Sequence, residues 1–256
     1  MSQAGRRRFL IEYLKKEDEK LRGIEIPQED DRQRKLLRSL MNIRPAYSVS
    51  KEFISVQDAY LQEELERKGV VHLSELSPVK PGIYLWQGDI TRLSVDAIVN
   101  AANREMLGCF IPCHACIDNA IHSAAGVLLR LECLRIMEKQ DGPEPTGRAK
   151  ITKGYNLACR HVLHTVGPVI CGDVTEKDCE LLADCYTSCL ALAADYHLKS
   201  VAFCCISTGE FHFPAERAAK IAVHTVFSWL ENHNSGMEVV FNVFKDSDYE
   251  IYKRFL

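Results

Sequence analysis

The chain has 256 residues, 46% hydrophobic and 26% charged, with a net charge of −3. It reads as a soluble chain that can bury a full core without covalent staples. No stretch is persistently basic and none is apolar enough for a bilayer, which excludes a nucleic-acid footprint and a membrane span. The eleven cysteines follow no apolar signal region, so a disulfide framework is not expected and a cytoplasmic setting, with thiols free for metal, is.

Residues 1 to 80 are expected to form a helical segment packed on a main domain that fills residues 81–256. The run Arg6-Arg7-Arg8 would suit a targeting peptide, but the acidic residues behind it do not. It leads instead into a helical pattern with Leu10, Leu14 and Leu21 near one face. A second helix carries Leu36, Leu37, Leu40 and Met41 and stops before Pro45. Ser50 is placed to cap a third, whose buried stripe is Phe53, Val56, Tyr60 and Leu65.

After Pro78 and Pro81 the pattern changes to strands alternating with helices. Ile83 to Gln87 reads as a strand, followed by the turn Gly88-Asp89-Ile90-Thr91, and Val95 to Ala101 as a strand covered on both faces. A helix is predicted from Asp118 or Asn119 to about Lys139. Strands follow at Ala149 to Leu157 and His161 to Val166, a cysteine-rich helix from about Thr175 to Asp195, and a buried strand from Ser200 to Ile206. Pro214 suits the first position of a helix that ends near Asn232. Glu238 to Val243 and Asp246 to Phe255 give a last strand and helix. Such strand–loop–helix units build a mixed or parallel sheet between helix layers, with ligands at the strand ends.

Three loops at such ends hold the candidate chemistry. Between the second strand and the next helix lies Cys109-x4-His114-x-Cys116, bent by Gly108 and Pro112. Two thiols and an imidazole are zinc-type ligands, and three protein ligands leave the fourth position open, as in catalytic zinc sites. Cys113 is a fourth thiol that could close the site; it ranks below the other three because adjacent residues in an extended loop point opposite ways. The plain alternative is that these cysteines are small buried hydrophobes. The letters Pro112-Cys113-His114-Ala115-Cys116 also fit half of a nucleobase-deaminase zinc site, yet no histidine or cysteine has the required Glu two residues on. Loop 206 to 214 leads into a helix N-terminus and suits a diphosphate. Asp89 can take an adenine amino group or simply form its turn, and Asp118 can be catalytic or merely cap its helix.

Taken together, Gln87-Gly88-Asp89-Ile90-Thr91, Val99-Asn100-Ala101-Ala102-Asn103, the run Gly147 to Pro168 with Gly154-Tyr155-Asn156 and His164-Thr165-Val166-Gly167-Pro168, and Ser207-Thr208-Gly209-Glu210-Phe211 resemble macrodomains over about residues 82 to 256. The cysteine–histidine loop and the helical N-terminal segment look like the zinc-dependent macrodomains encoded beside a bacterial sirtuin. The resemblance implies a three-layer α/β/α sandwich with a mixed central sheet. It implies a hydrolase that removes mono-ADP-ribose from protein side chains, with a lipoylated carrier such as a glycine-cleavage H-type protein as substrate. By the same resemblance Asp89 and Ile90 hold adenine, and Asn103 holds the distal ribose with Phe211 against it. The backbones of Ser207, Thr208, Gly209, Glu210 and Phe211 cradle the diphosphate. Cys109, His114 and Cys116 ligate zinc, Cys116 and Ile117 line the substrate, and Asp118 and Asn103 serve catalysis. Glu210 and His212 depart from the usual residues of their loop. Two rival functions are a reader that binds ADP-ribose without turnover and an interaction module in which zinc is a structural staple.

Overall fold

The computed structural model describes residues 1–233 and 235–256. Three helices come first, α1 (Gln3–Glu17), α2 (Asp30–Ile43) and α3 (Lys51–Lys68). They are followed by β1 (Val71–His72), β2 (Pro78–Lys80), β3 (Ile83–Gln87), β4 (Leu93–Ser94) and β5 (Ala97–Ala101). Next are α4 (Ile117–Ala125), α5 (Val127–Met137), β6 (Ala149–Lys153), β7 (His161–Thr165) and α6 (Glu176–Asp195). The chain ends with β8 (Ser200–Phe203), α7 (Ala215–His233), β9 (Glu238–Val243) and α8 (Asp246–Phe255).

Short apolar runs such as Ala97-Ile98-Val99 and Val239-Val240-Phe241 are buried on both faces, which suits the interior of a parallel sheet under two helix layers. The seven-stranded sheet has the order β2-β3-β9-β8-β5-β7-β6. Its five inner strands are parallel, and β2 and β6 close the edges antiparallel. Pro78 lacks a donor for the ladder and is tolerated because β2 is an edge. On one face Phe203 meets Tyr186 of α6 and Phe241 meets Tyr252 of α8, with centroids 5.0 and 5.4 Å apart. On the other, His164 of β7 lies 3.9 Å from Cys133 of α5. The result is the expected three-layer α/β/α sandwich with a mixed sheet.

Several boundaries differ from the sequence expectation. The helix predicted from residue 118 to 139 is two helices, because Gly126 turns the chain with φ 90°. A Cβ there would lie 2.5 Å from Gln57 Nε2. Gln57 fills that space and accepts a hydrogen bond from Val127 N at 2.9 Å. Leu21 sits in a 3-10 turn beyond the end of α1. The strand expected to reach Leu157 ends at Lys153, where Gly154 and Leu157 close a turn. The strand expected to reach Ile206 ends at Phe203. Pro214 precedes α7 and offers its carbonyl to Ala218 N at 2.9 Å. Three short strands were not foreseen: β1 and β4, which pair with each other, and β2, which already belongs to the main sheet although it lies before residue 81.

Helices α1 to α3 bury a core of their own around Leu10, Leu14, Leu37, Leu40, Phe53 and Tyr60. Its charges are paired: buried Arg7 meets Asp30 and Gln33, and Arg44 grips Glu17 through two bonds of 2.6 and 2.8 Å. Arg130 of α5 donates to the carbonyls of Met41, Asn42 and Arg44. Those are the open acceptors at the C-terminal end of α2, where a cation is favoured. Gly126→Ala is expected to lower the melting temperature and cost about 2 kcal/mol, since it meets both an unfavourable φ and the Gln57 amide. Thermal unfolding followed by circular dichroism tests this, and an unchanged melting point refutes it.

Candidate active site

Four of the five inner strands, β3, β5, β8 and β9, bring their C-terminal ends to one cleft of about 1050 Å³. Its floor is built by the loops after β3, β5 and β8, and its outer wall by α2 and α3. Leu37, Arg38, Leu61, Leu65 and Lys68 of those helices face into it.

At one end, Asp89 caps the short 3-10 turn Ile90–Arg92 and accepts from Thr91 N at 3.1 Å and Thr91 Oγ1 at 2.6 Å. Its second oxygen faces Lys68 Nζ at 3.3 Å. Burial alone would raise its pKa, but the Thr91 bonds and the Lys68 charge outweigh that and hold it below the usual carboxylate value. It therefore stands as an ionised acceptor. Ile90 beside it is buried.

In the middle, residues 205 to 213 fold on themselves through Thr208 N to Cys205 O, His212 N to Gly209 O and Phe213 N to Ser207 O. Among the described residues, the N–H groups of Gly209, Glu210 and Phe211 have no protein acceptor, which makes the loop a cradle for an anion. Ser207 and His212 adopt φ values of 64° and 57°, a strain of the kind concentrated at ligand sites. Gly167 makes room for this: a Cβ there would lie 2.0 Å from Ser207 Oγ.

At the far end stand Asn103, Asp118 and the cysteine–histidine loop. Asn103 donates to Gly108 O at 3.1 Å and lies 3.5 Å from Asp118 Oδ2, while its own Oδ1 is buried without a partner. Asp118, in the first turn of α4, is 5% exposed. Its Oδ1 accepts from Asn100 Nδ2 at 2.8 Å and faces His122 Nε2 at 3.5 Å. Burial pushes its pKa up to about 6, against the opposing effects of Asn100 and Arg130. Gly108 is needed here, since a Cβ would lie 2.8 Å from the His122 ring.

The donor atoms of Cys109, His114 and Cys116 all lie within 4.8 Å of one another. Zinc with nitrogen and sulfur ligands in a tetrahedron separates its donors by about 3.5 Å; Cys109 Sγ and His114 Nδ1 are 3.6 Å apart. The set is soft, as zinc prefers. Burial pushes the Cys116 thiol up to about 12, and nearby Cys109 adds to this, so a cation between them is what would let both ionise. Cys116 is also the N-cap of α4, taking Asn119 N at 3.4 Å. The residues present therefore fit the metal. Cys113 turns away with φ 51° and rests 3.3 Å from Ser39 Oγ.

The structure thus brings together Asn103, Asp118, Cys116 and Ile117 at one end of the cleft, and Asp89 and Ile90 at the other, with Ser207 to Phe211 along it. Sequence reasoning missed Asn100, although an amide in an otherwise apolar strand was a usable signal. It also left open whether the N-terminal helices reach the site. Glu210, noted as unusual for its loop, reaches within 3.6 Å of His114 Nε2.

The fold and this geometry define an α/β sandwich whose strand-end cleft has an ionised acceptor at one end, free backbone N–H groups along it and a desolvated carboxylate at the other. Residues 99–222 match the family model described as Macro domain. The chain is 55% identical to the protein-ADP-ribose hydrolase of Treponema medium, covering the whole of both chains. It is 53% identical to that of Staphylococcus aureus (strain COL) over 220 residues, 85% of this chain and 82% of the relative. A Trypanosoma brucei macrodomain solved in complex with ADP-ribose superposes with a TM-score of 0.66 at 33% identity, over 84% of this chain and 94% of that one. The chain belongs to the macro domain family.

His164, next to Asn100, carries a testable pH consequence. It meets Asn100 Nδ2 at 3.2 Å and Thr152 Oγ1 at 2.9 Å, and burial lowers its pKa to about 3. The unfolded chain takes that proton near pH 6.5, so below about 6.5 the unfolded state binds more protons and stability falls toward pH 3. The contribution is constant above 6.5. His164→Gln is expected to flatten the slope of unfolding free energy against pH between about 6 and 4, by up to about 1.4 kcal/mol per unit. Urea midpoints measured across that range give the answer; an unchanged slope would exclude His164 as the source.

Proposed function

We propose that this protein is a hydrolase that releases mono-ADP-ribose from modified protein side chains, with zinc at the cysteine–histidine loop. The observation that carries the reading is the convergence of Cys109, His114 and Cys116 on the end of the cleft where Asp118 lies. A module that only bound the nucleotide would need neither that donor set nor a carboxylate drawn out of water.

Asp89 and the Ile90 backbone would hold adenine, and the free N–H groups of residues 209 to 211 the diphosphate. These contacts supply binding energy remote from the reacting bond and hold the anomeric carbon at the far end. The unpartnered Asn103 Oδ1 would accept a hydroxyl of the distal ribose, with Phe211 against the ring. Asp118 keeps Oδ1 on Asn100, leaving Oδ2 beside Asn103 to orient a water and take its proton. A bound zinc would supply Lewis acidity or lower the pKa of water. As to the substrate, the reading extends to a lipoylated carrier protein modified by a sirtuin, and to the cytoplasm. All eleven cysteines are unpaired, which suits a reducing compartment.

The test is release of ADP-ribose from a mono-ADP-ribosylated protein. Asp118→Ala is expected to lower kcat by about 10²- to 10⁴-fold while ADP-ribose still binds. Cys116→Ala and a zinc chelator are expected to abolish turnover before binding or melting temperature changes. Full activity in Cys116→Ala would remove zinc from the mechanism. A wild-type protein that binds ADP-ribose but never releases it from protein would be a reader, and one that unfolds on chelation a stapled module.

A further inference from the structure

We infer that helix α2 is the outer clamp of the cysteine–histidine loop, with Arg38 as the positioning residue that keeps the three donors converged. The inference rests on the zinc reading above and assigns a task to the N-terminal segment.

The loop between Cys109 and Cys116 contains no helix or strand. Its shape must be imposed by side chains that satisfy its backbone carbonyls. Two side chains do this. Asn119, fully buried on α4, donates to Ile111 O at 2.9 Å and Cys109 O at 3.4 Å. Arg38 of α2 donates to His114 O at 3.1 Å and holds Asn119 Oδ1 through Nη2 and Nε at 2.7 and 3.2 Å. The guanidinium fork thus fixes the carbonyl of the histidine donor and, through Asn119, the carbonyls of Cys109 and Ile111. Its fixed planar geometry suits holding two acceptors at once.

The rest of α2 grips the same loop. Asn42 Oδ1 accepts from Cys113 N at 2.9 Å, and the Cys113 thiol lies against Ser39 Oγ and donates to Lys35 O at 3.4 Å. Cys113 is therefore an anchor to the helix, turned from the donor set by its left-handed backbone. Arg130 secures α2 in turn by holding the carbonyls at its end. Partners that orient metal ligands in this way typically change affinity by 10- to 100-fold when removed.

The experiment measures zinc affinity by competition with a chromophoric chelator on the full chain, for wild type, Arg38→Met, Arg38→Lys and Cys113→Ala. The melting temperature of the zinc-free chain is recorded beside it. Arg38→Met is expected to weaken zinc at least about 10-fold, with the melting temperature of the zinc-free chain unchanged. Arg38→Lys, which keeps the charge and loses the fork, should recover only part. Cys113→Ala keeps the bond from its N–H to Asn42 and loses only the thiol contacts, so it should weaken zinc less than Arg38→Met does. Wild-type zinc affinity in Arg38→Met, or a loss in Cys113→Ala as large as that in Arg38→Met, overturns the clamp and leaves the zinc reading standing. A lowered melting temperature of the zinc-free Arg38→Met chain together with lost zinc also overturns it, by showing general disruption. A wild-type chain that takes up no zinc sinks the zinc reading and the clamp together.

Discussion

The hydrogen bond from Asn100 to Asp118 is the contact on which the site depends. A carboxylate that is 5% exposed has lost nearly all its water, and a buried polar group is tolerated only when protein partners replace that water. Asn100 comes from the end of β5 and Asp118 from the first turn of α4, so one bond ties the strand to the helix across the intervening loop. It also occupies one oxygen and leaves the other toward the cleft. The glycines around it serve the same end: Gly108 admits His122 beneath the carboxylate, and Gly126 lets the chain turn so that α5 can carry Arg130 to α2.

The cleft has two origins. Its floor belongs to the α/β sandwich, where five parallel strands end together and the loop after β8 offers free N–H groups. Its outer wall belongs to α2 and α3, which have a core separate from that of the sandwich. The two parts are joined by polar contacts chosen for direction: Gln57 with Val127, Asn156 with Asp58 and Arg130 with the end of α2. Lys68 from the wall faces Asp89 on the floor. The cleft is therefore lined by both parts.

Much of this was legible in the sequence, and the reason lies in periodicity and local chemistry. The three-layer sandwich followed from apolar runs such as Val239-Val240-Phe241 alternating with helical patterns, because a strand buried on both faces has no polar positions. The loops at the strand ends were legible because Gly88, Gly108 and Gly209 interrupt regular structure, and the resemblance to macrodomains ordered them. Cys109, His114 and Cys116 were legible as a donor set because a loop bent at Gly108 and Pro112 can turn such side chains onto one point. The break at Gly126 was not legible, since a lone glycine in a helical pattern is usually tolerated and the cause here is Gln57, seventy residues away.

The sequence by itself determined the architecture and the residues available for chemistry, because backbone periodicity and short-range spacing are properties of contiguous residues. The tertiary structure alone decided how those residues are used. It set one oxygen of Asp118 against Asn100 and seated the Cys113 thiol on Ser39 and Lys35 of α2. It brought Arg38 and Lys68 of the helical segment to opposite ends of the cleft. Each of those outcomes depends on side-chain direction and on partners distant along the chain, and neither quantity is written in any local pattern.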